Sequence, residues 1–219
     1  MKEWIRSYHM FIPKRPGIWR WTIYLIYPLL LSFIWIDSEN ASLGLLTAGL
    51  LALTFEIFVD GFTFSGIAKK DGLPMDYVLA SKKGTKIIRY GVIMDSIRRF
   101  ASLFIIHVVM YLRTLNAPFD YQEMTTPAYA LGMLLMAYVV CTVSNMITRR
   151  FTGWVINIFM AYVMGFVYVL GVILVDASGA TWGVIILIAI ITLLLTLLQI
   201  KMVMSQVQKY YYDEVKGKK

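Results

Sequence analysis

Cysteine is all but missing from this chain, with Cys141 alone among 219 residues. A single cysteine allows no internal disulfide and no thiolate metal cluster. Lying inside an apolar run, Cys141 reads as a small core hydrophobe. Histidine is nearly as scarce: His9 and His107 stand far apart and no H-E-x-x-H occurs, so no metal site is indicated. Charge is thin as well, at 16% of residues, where soluble domains carry about a quarter. The common catalytic signatures are absent too. Lys82-Lys83-Gly84-Thr85-Lys86 contains a Gly-Thr pair but lacks the first glycine and the residue order of a phosphate-binding P-loop. There is no G-x-S-x-G nucleophile elbow, no T-V-G-Y-G filter and no arginine at every third position of a span. These absences weigh against an enzyme and more firmly against a pump that hydrolyses nucleotide by itself.

What the chain has instead is apolar length. Hydrophobic residues make up 59% of it, and its mean hydropathy is +0.68. Apolar runs of about 18 residues or more recur, and such runs read as membrane-spanning helices. Because the runs do not alternate, a membrane β-barrel is excluded. The expected fold is an all-α polytopic membrane protein with six spans, near 18–36, 41–68, 93–112, 127–147, 154–175 and 182–204. No Ala-x-Ala-like cleavage site follows the first span, so it is read as a retained helix.

Charge orients these spans. Of the 21 Lys and Arg residues, all but Arg113 fall on one side of the expected topology. The positive-inside rule then puts both termini in the cytoplasm of a multi-pass protein of the cell membrane. The formal charge of +8 is thereby explained by anionic lipid and a cytoplasmic partner, with no need for nucleic acid. External loops are short: the first is built around Asp37, Ser38, Glu39 and Asn40, the last from Asp176 to Thr181. Three parts result: an N-terminal amphipathic segment over 1–17, a membrane domain over 18–204, and a basic tail over 205–219 with Tyr210, Tyr211 and Tyr212 suited to the headgroup level. Within the first part, Trp4, Tyr8 and Phe11 recur at helical spacing until Pro13 and Pro16 intervene. A short helix in the membrane interface is expected there.

Ionisable residues inside the spans are the first candidates for function. Glu56 and Asp60 lie four apart and share one helix face. Left uncompensated, each would cost at least about 2.5–3.5 kcal/mol in the membrane. Only 13 residues separate Arg99 from Arg113, about 20 Å of helix, too short for a core of about 30 Å. Asp95, Arg98 and Arg99 are therefore drawn into the inner leaflet, where Asp60, with or without Glu56, is expected to pair with Arg98 or Arg99. Such a cluster has three readings: a structural pair that sets helix register, a proton or ion relay that includes His107, or a polar lining for a substrate path. Asn145 and Asn157 are read as interhelical hydrogen-bonding groups. Phe159, Met160, Met164 and Phe166 are a candidate pathway lining, since flexible Met-rich surfaces adapt to varied apolar ligands; ordinary packing, with Gly165 and Gly171 allowing close approach, is the competing reading.

The loop between the second and third spans, about 69–91, is the longest polar stretch. Pro74, Met75, Asp76, Tyr77, Val78 and Leu79 suit about two helical turns, with Pro74 and Asp76 favoured at the start. Met75, Val78 and Leu79 form an apolar side, followed by Lys82, Lys83 and Lys86. A short apolar helix framed by charge is a recurrent docking element. In this arrangement the chain resembles the permease subunit of type-2 ABC exporters, of the small kind that exports bacteriocins and peptide toxins. The likeness rests on the six-span layout, the N-terminal interfacial helix, and Asp76-Tyr77-Val78-Leu79 followed by Lys82, Thr85, Lys86, Ile87 and Arg89. The family's usual proline after this helix is missing, and the short external helices between the last two spans are replaced by Asp176 to Thr181.

The resemblance implies that residues 74–79 with Lys82, Lys83 and Lys86 form a coupling helix and its electrostatic frame. The implied partner is a separate nucleotide-binding ATPase subunit that carries ATP and Mg, while this chain binds no cofactor and no metal and catalyses nothing itself. A second copy or a related permease chain would complete a dimer in the lipid bilayer. The implied activity is outward transport of peptides or other amphipathic compounds. Two other readings stand beside it: a membrane scaffold that recruits a cytoplasmic protein through the same loop, and a proton-coupled secondary transporter that uses Glu56, Asp60 and His107. The second predicts related halves, and no internal repeat is seen.

Overall fold

In a computed structural model of the chain, the described residues are 2–11, 26, 30, 41–63, 81, 83–115, 126–148 and 154–217. Six helices and no strand occur among them: α1 (Lys2–Phe11), α2 (Ala41–Thr63), α3 (Gly84–Leu115), α4 (Pro127–Thr148), α5 (Trp154–Ala177) and α6 (Trp182–Gly217). The expected first span, residues 74–79 of the proposed docking helix, and Lys82 lie outside the described residues.

Three of these helices are long and apolar enough to cross a membrane: Pro127–Thr148, Val155–Ala177 and Trp182–Ser205. The described residues are thus all-helical, and the protein is a multi-pass membrane protein. Helix α4 is central and packs against α2, α3, α5 and α6. Its interior position follows from its residues. Small or polar side chains such as Ala137, Cys141, Thr142 and Asn145 are wholly buried, and Gly132 leaves room where a Cβ would come within 2.8 Å of Val175 and 2.9 Å of Ile185. Helices α5 and α6 are lipid-like on their outer faces, with Phe159, Tyr162, Phe166, Leu174, Leu193 and Leu194 largely exposed.

Local chemistry sets the helix ends. Thr126 caps α4, its hydroxyl accepting from the Tyr129 amide at 3.2 Å, and Pro127 occupies the first helical position, where a missing N–H costs nothing. Helix α5 stops in a paired-hydrogen-bond turn. The Ala180 amide donates to the Val175 carbonyl at 3.1 Å and the Gly179 amide to that of Asp176 at 2.8 Å, with Gly179 at φ 65° and Ala180 at φ 48°. This is the Schellman arrangement, which satisfies carbonyls that would otherwise be orphaned. It lets α6 begin at once at Trp182.

Two boundaries differ from the sequence-based expectation. Helix α3 begins at Gly84, well before the expected span at Ile93, and so absorbs the second half of the basic loop. The reason is amphipathicity: Ile88 and Val92 are wholly buried while Lys86 and Arg89 are exposed. At its far end α6 runs on to Gly217, so most of the basic tail is helical.

The expected N-terminal helix is present and packs against α3. Trp4 meets Tyr90 with ring centroids 5.4 Å apart. Lys86 Nζ lies 5.3 Å above the Tyr90 ring and 3.8 Å from the Glu3 carboxylate. Ser7 is buried and donates to the Glu3 carbonyl at 2.8 Å.

Candidate functional site

Glu56 of α2 and Asp95, Arg98 and Arg99 of α3 converge on one cluster between α2, α3 and α4. Asp95, Arg98 and Arg99 stand at i, i+3 and i+4 on α3, a spacing that places them on adjoining faces of one turn. Arg98 reaches across to α2 and grips Glu56 with two hydrogen bonds, Nη1 to Oε1 at 3.1 Å and Nη2 to Oε2 at 2.9 Å. The same guanidinium turns its Nε and Nη2 toward Asp95 Oδ1, at 3.2 and 3.1 Å. Arg99 donates through Nη2 to Asp95 Oδ2 at 2.6 Å, and its Nε lies 3.7 Å from Glu56 Oε2.

Helix α4 closes the cluster through Asn145. The surrounding donors and acceptors fix its carboxamide with the oxygen facing Arg99. In that orientation the oxygen accepts from Nε at 3.1 Å, from Nη1 at 3.0 Å and from Nη2, while the amide nitrogen donates to the Cys141 carbonyl at 3.3 Å. Glu56, Asp95, Arg99 and Asn145 have no exposed surface; the Arg98 side chain keeps 14%.

The physical sense of this arrangement is neutrality. Among the described side chains, two carboxylates face two guanidiniums, and these four balance in charge. Buried ions are tolerated only with good geometry and satisfied lone pairs, and bidentate arginine–carboxylate pairing supplies both. The cluster ties three helices at one level near the Lys/Arg-rich end of the bundle. Among the described residues no group of three or more His, Cys, Asp or Glu side chains is placed to hold a metal ion.

A second polar line runs beside it. Tyr138 of α4 donates to the Ser96 carbonyl of α3 at 3.4 Å, and the Thr196 hydroxyl of α6 lies 3.5 Å from the Tyr138 hydroxyl. Thr192 and Gln199 are buried on the same face of α6 as Thr196, and α6 meets α4 and α3. Among the described residues, neither polar atom of the Gln199 carboxamide has a hydrogen-bond partner, and nor do the hydroxyls of Ser144, Thr148 and Tyr168.

The residues expected from the sequence fare differently. Glu56, Arg98 and Arg99 come together as a cross-helix pairing, and Asn145 joins them. The Asp60 side chain lies outside the described set, so the carboxylates seen on the arginines are those of Glu56 and Asp95. Sequence reasoning drew Asp95 into the same leaflet but missed it as a partner, although its spacing from Arg98 and Arg99 announces it. His107 is buried and its Nδ1–H donates to the Leu103 carbonyl of its own helix at 2.8 Å. The four expected pathway residues do not share a face: Met160 and Met164 are buried in the core, while Phe159 and Phe166 are exposed on the outer side. Lys83 and Lys86 are exposed at the start of α3. Gly171 does permit close approach, since a Cβ there would strike the Met136 methyl group. Gln199 escapes a reading of the sequence by motif, though Thr192, Thr196 and Gln199 mark one helix face by their spacing.

Compared with known proteins, the chain matches no family model, no curated sequence and no solved structure.

Proposed function

We propose that this chain is the membrane-spanning subunit of an ATP-driven exporter of peptides or similar amphipathic compounds. In this reading six helices cross the cell membrane, both termini are cytoplasmic, and a second copy or a related chain completes the dimer. A separate ATPase subunit binds ATP and Mg and docks on residues 74–79, framed by Lys82, Lys83 and Lys86. This chain carries out no catalysis.

The observation that supports the reading is mechanical. Helix α3 is one continuous helix of 32 residues that starts within the basic loop, at Gly84, and α1 braces its first turns. About three to four turns further on, the same helix carries Asp95, Arg98 and Arg99, which bind it to Glu56 of α2 and Asn145 of α4. A push on the loop is therefore delivered to three helices together. Rigid-body movement of packed helices is how such a push would open a path. The cluster's place in this scheme is that of a clamp: its charges are mutually satisfied, and His107 is engaged with its own helix.

The test is purification of the chain under mild conditions from cells that also express its neighbouring reading frames. A stoichiometric P-loop ATPase that co-purifies, and that Leu79→Asp releases, supports the proposal. ATP-dependent uptake of a labelled apolar peptide into inside-out vesicles supports it further. A chain that purifies without any ATPase and moves nothing with ATP overturns it. Movement driven by a pH gradient alone would favour the secondary-transporter reading.

A further inference from the structure

Helix α3 has a buried side and an open one. Ile88, Val92, Asp95, Arg99, Leu103 and Ile106 recur at helical spacing and are buried. The opposite side changes character with depth. Ile97, Phe100 and Phe104 on it are large apolar side chains left exposed. Phe100 and Phe104 stack with ring centroids 6.2 Å apart, and Phe100 meets Tyr138 of α4 edge-on at 5.6 Å. About two to three turns nearer the start of the helix, the same side carries Lys86 and Arg89, both exposed. At about 100° per residue, Lys86, Ile97, Phe100 and Phe104 lie within about 40° of one line along the helix, and Arg89 within about 60°.

Helix α4 sets the depth of that change. It is long and apolar enough to cross a membrane, and its Asn145, close to its end at Thr148, holds Arg99. The contact with Tyr138 puts Phe100 within the span. Lys86 and Arg89 stand about 15–20 Å before Arg99 along α3, beyond the hydrocarbon, where such long side chains reach the headgroups. Helix α1 lies at the same level, with Trp4 on Tyr90 and Glu3 3.8 Å from Lys86. Trp and Tyr rings favour this level of a bilayer. Arg6 of α1 is exposed as well. Among the described residues Glu3 is the carboxylate that pairs at this corner, and Arg89 has no ion-pair partner.

We infer that this corner of α1 and α3 seats one anionic phospholipid of the cytoplasmic leaflet. Its phosphate lies at Arg89, beside Lys86, and an acyl chain runs along Ile97, Phe100 and Phe104. The order of residues selects this occupant. Exposed basic side chains fit an anionic headgroup, and the apolar side chains that follow on the same line fit the chain attached to it. A soluble anion would use only the first half of the stripe. A cytoplasmic protein would likewise meet the charges and leave the rings within the span untouched. A second copy related by a two-fold axis along the membrane normal would bring its own Lys86 and Arg89 to the same depth, like charge against like charge. The lipid pins the first turns of α3, with α1, to the membrane surface, and its binding requires neither ATP nor a partner subunit.

The experiment uses the full chain in nanodiscs of phosphatidylcholine with a minor share of phosphatidylglycerol. Ile97, about 12 Å along α3 from Arg89, is replaced by p-benzoylphenylalanine and activated by light. Mass spectrometry then reads what is attached. The expected product is the chain plus one phospholipid, with phosphatidylglycerol enriched about tenfold or more over its share of the bilayer. Arg89→Gln should lower that enrichment by about fivefold, and Lys86→Gln, whose charge is partly matched by Glu3, by less. Arg89→Lys should keep it, and so should Lys201→Gln, which removes an exposed charge from α6. Attachment of phosphatidylcholine continues in every variant, so the total yield of attached lipid checks that the variants are folded. No enrichment, or an equal loss in Lys201→Gln, means that only the diffuse charge of the surface is felt, and overturns the seat. Attachment to a second copy, or to another protein when the same variant is activated in native membranes, overturns it as well.

Discussion

The strongest consequence of the charge cluster concerns Arg99. Its side chain is the largest of those wholly buried. It touches Asp95 at 2.6 Å, lies 3.7 Å from Glu56 and holds the Asn145 oxygen. Arg99→Met keeps most of the volume and removes the charge. Among the described side chains, two carboxylates then face one guanidinium, and a buried carboxylate loses its partner. Breaking a buried pair from one side costs about 3–5 kcal/mol, equivalent to about two to four orders of magnitude in the folded-to-unfolded ratio. Adding Asp95→Asn restores neutrality, for Arg98 still grips Glu56 with two bonds and the new carboxamide oxygen still faces it. The double variant should therefore regain about 1–3 kcal/mol relative to the sum of the single changes. Reversible unfolding in mixed micelles, run as a double-mutant cycle on Arg99 and Asp95, reads both numbers. Single variants that each lose less than about 1 kcal/mol, or a cycle that closes with no coupling, would refute the claim that these charges are a sealed structural clamp. The residues would then be solvated and free to act on ions or cargo.

Asn145→Leu should cost about 1.5–3 kcal/mol by the same assay, the range for a hydrogen bond to a charged group, and the loss should shrink in the Arg99→Met background. Gly49→Ala drives a methyl group into the Tyr168 phenol, whose Cζ would lie 2.7 Å from the new Cβ; overpacking of this kind costs about 1–3 kcal/mol and should lower the unfolding midpoint. Tyr168→Phe, by contrast, removes a hydroxyl that has no partner and should leave that midpoint unchanged or raise it.

The membrane character, the later spans and the N-terminal helix are legible in the sequence because each depends on local pattern. Runs of apolar residues mark α4, α5 and α6, and Trp4 sits on the face that α1 turns to Tyr90. The pairing of Glu56 with Arg98 and Arg99 is legible from the cost of leaving such charges alone in lipid. Its details are not. Which carboxylate meets which guanidinium depends on the offset between α2 and α3, a tertiary quantity that spacing along one helix does not contain. The start of α3 is misplaced for a different reason: a run of lysines looks like a loop, whereas Lys86 and Arg89 are the outer face of a helix whose inner face is Ile88 and Val92. The split of Met160 and Met164 from Phe159 and Phe166 is open to a helical-wheel count, since about 100° separates successive residues. Composition alone groups them.

The two polar features of the bundle differ in kind, and the difference bears on which helices move. Around Arg99 the charges are matched, so separating α2, α3 and α4 would expose paired ions to lipid. Along α6 the reverse holds: Thr192 and Thr196 are satisfied within their own helix, and Gln199 has no hydrogen-bond partner among the described residues. An interface held by unmatched or self-satisfied groups parts more readily than one held by mutual ion pairs. On the exporter reading, α2, α3 and α4 are therefore expected to move together. If the chain is the exporter subunit proposed above and α6 moves against that unit, a disulfide that joins α6 to α4, made by Thr196→Cys with Tyr138→Cys in the Cys141→Ala background, should abolish ATP-dependent transport while leaving the Arg99–Asp95 coupling energy intact. Transport that persists with the crosslink closed would assign the movement to another pair of helices.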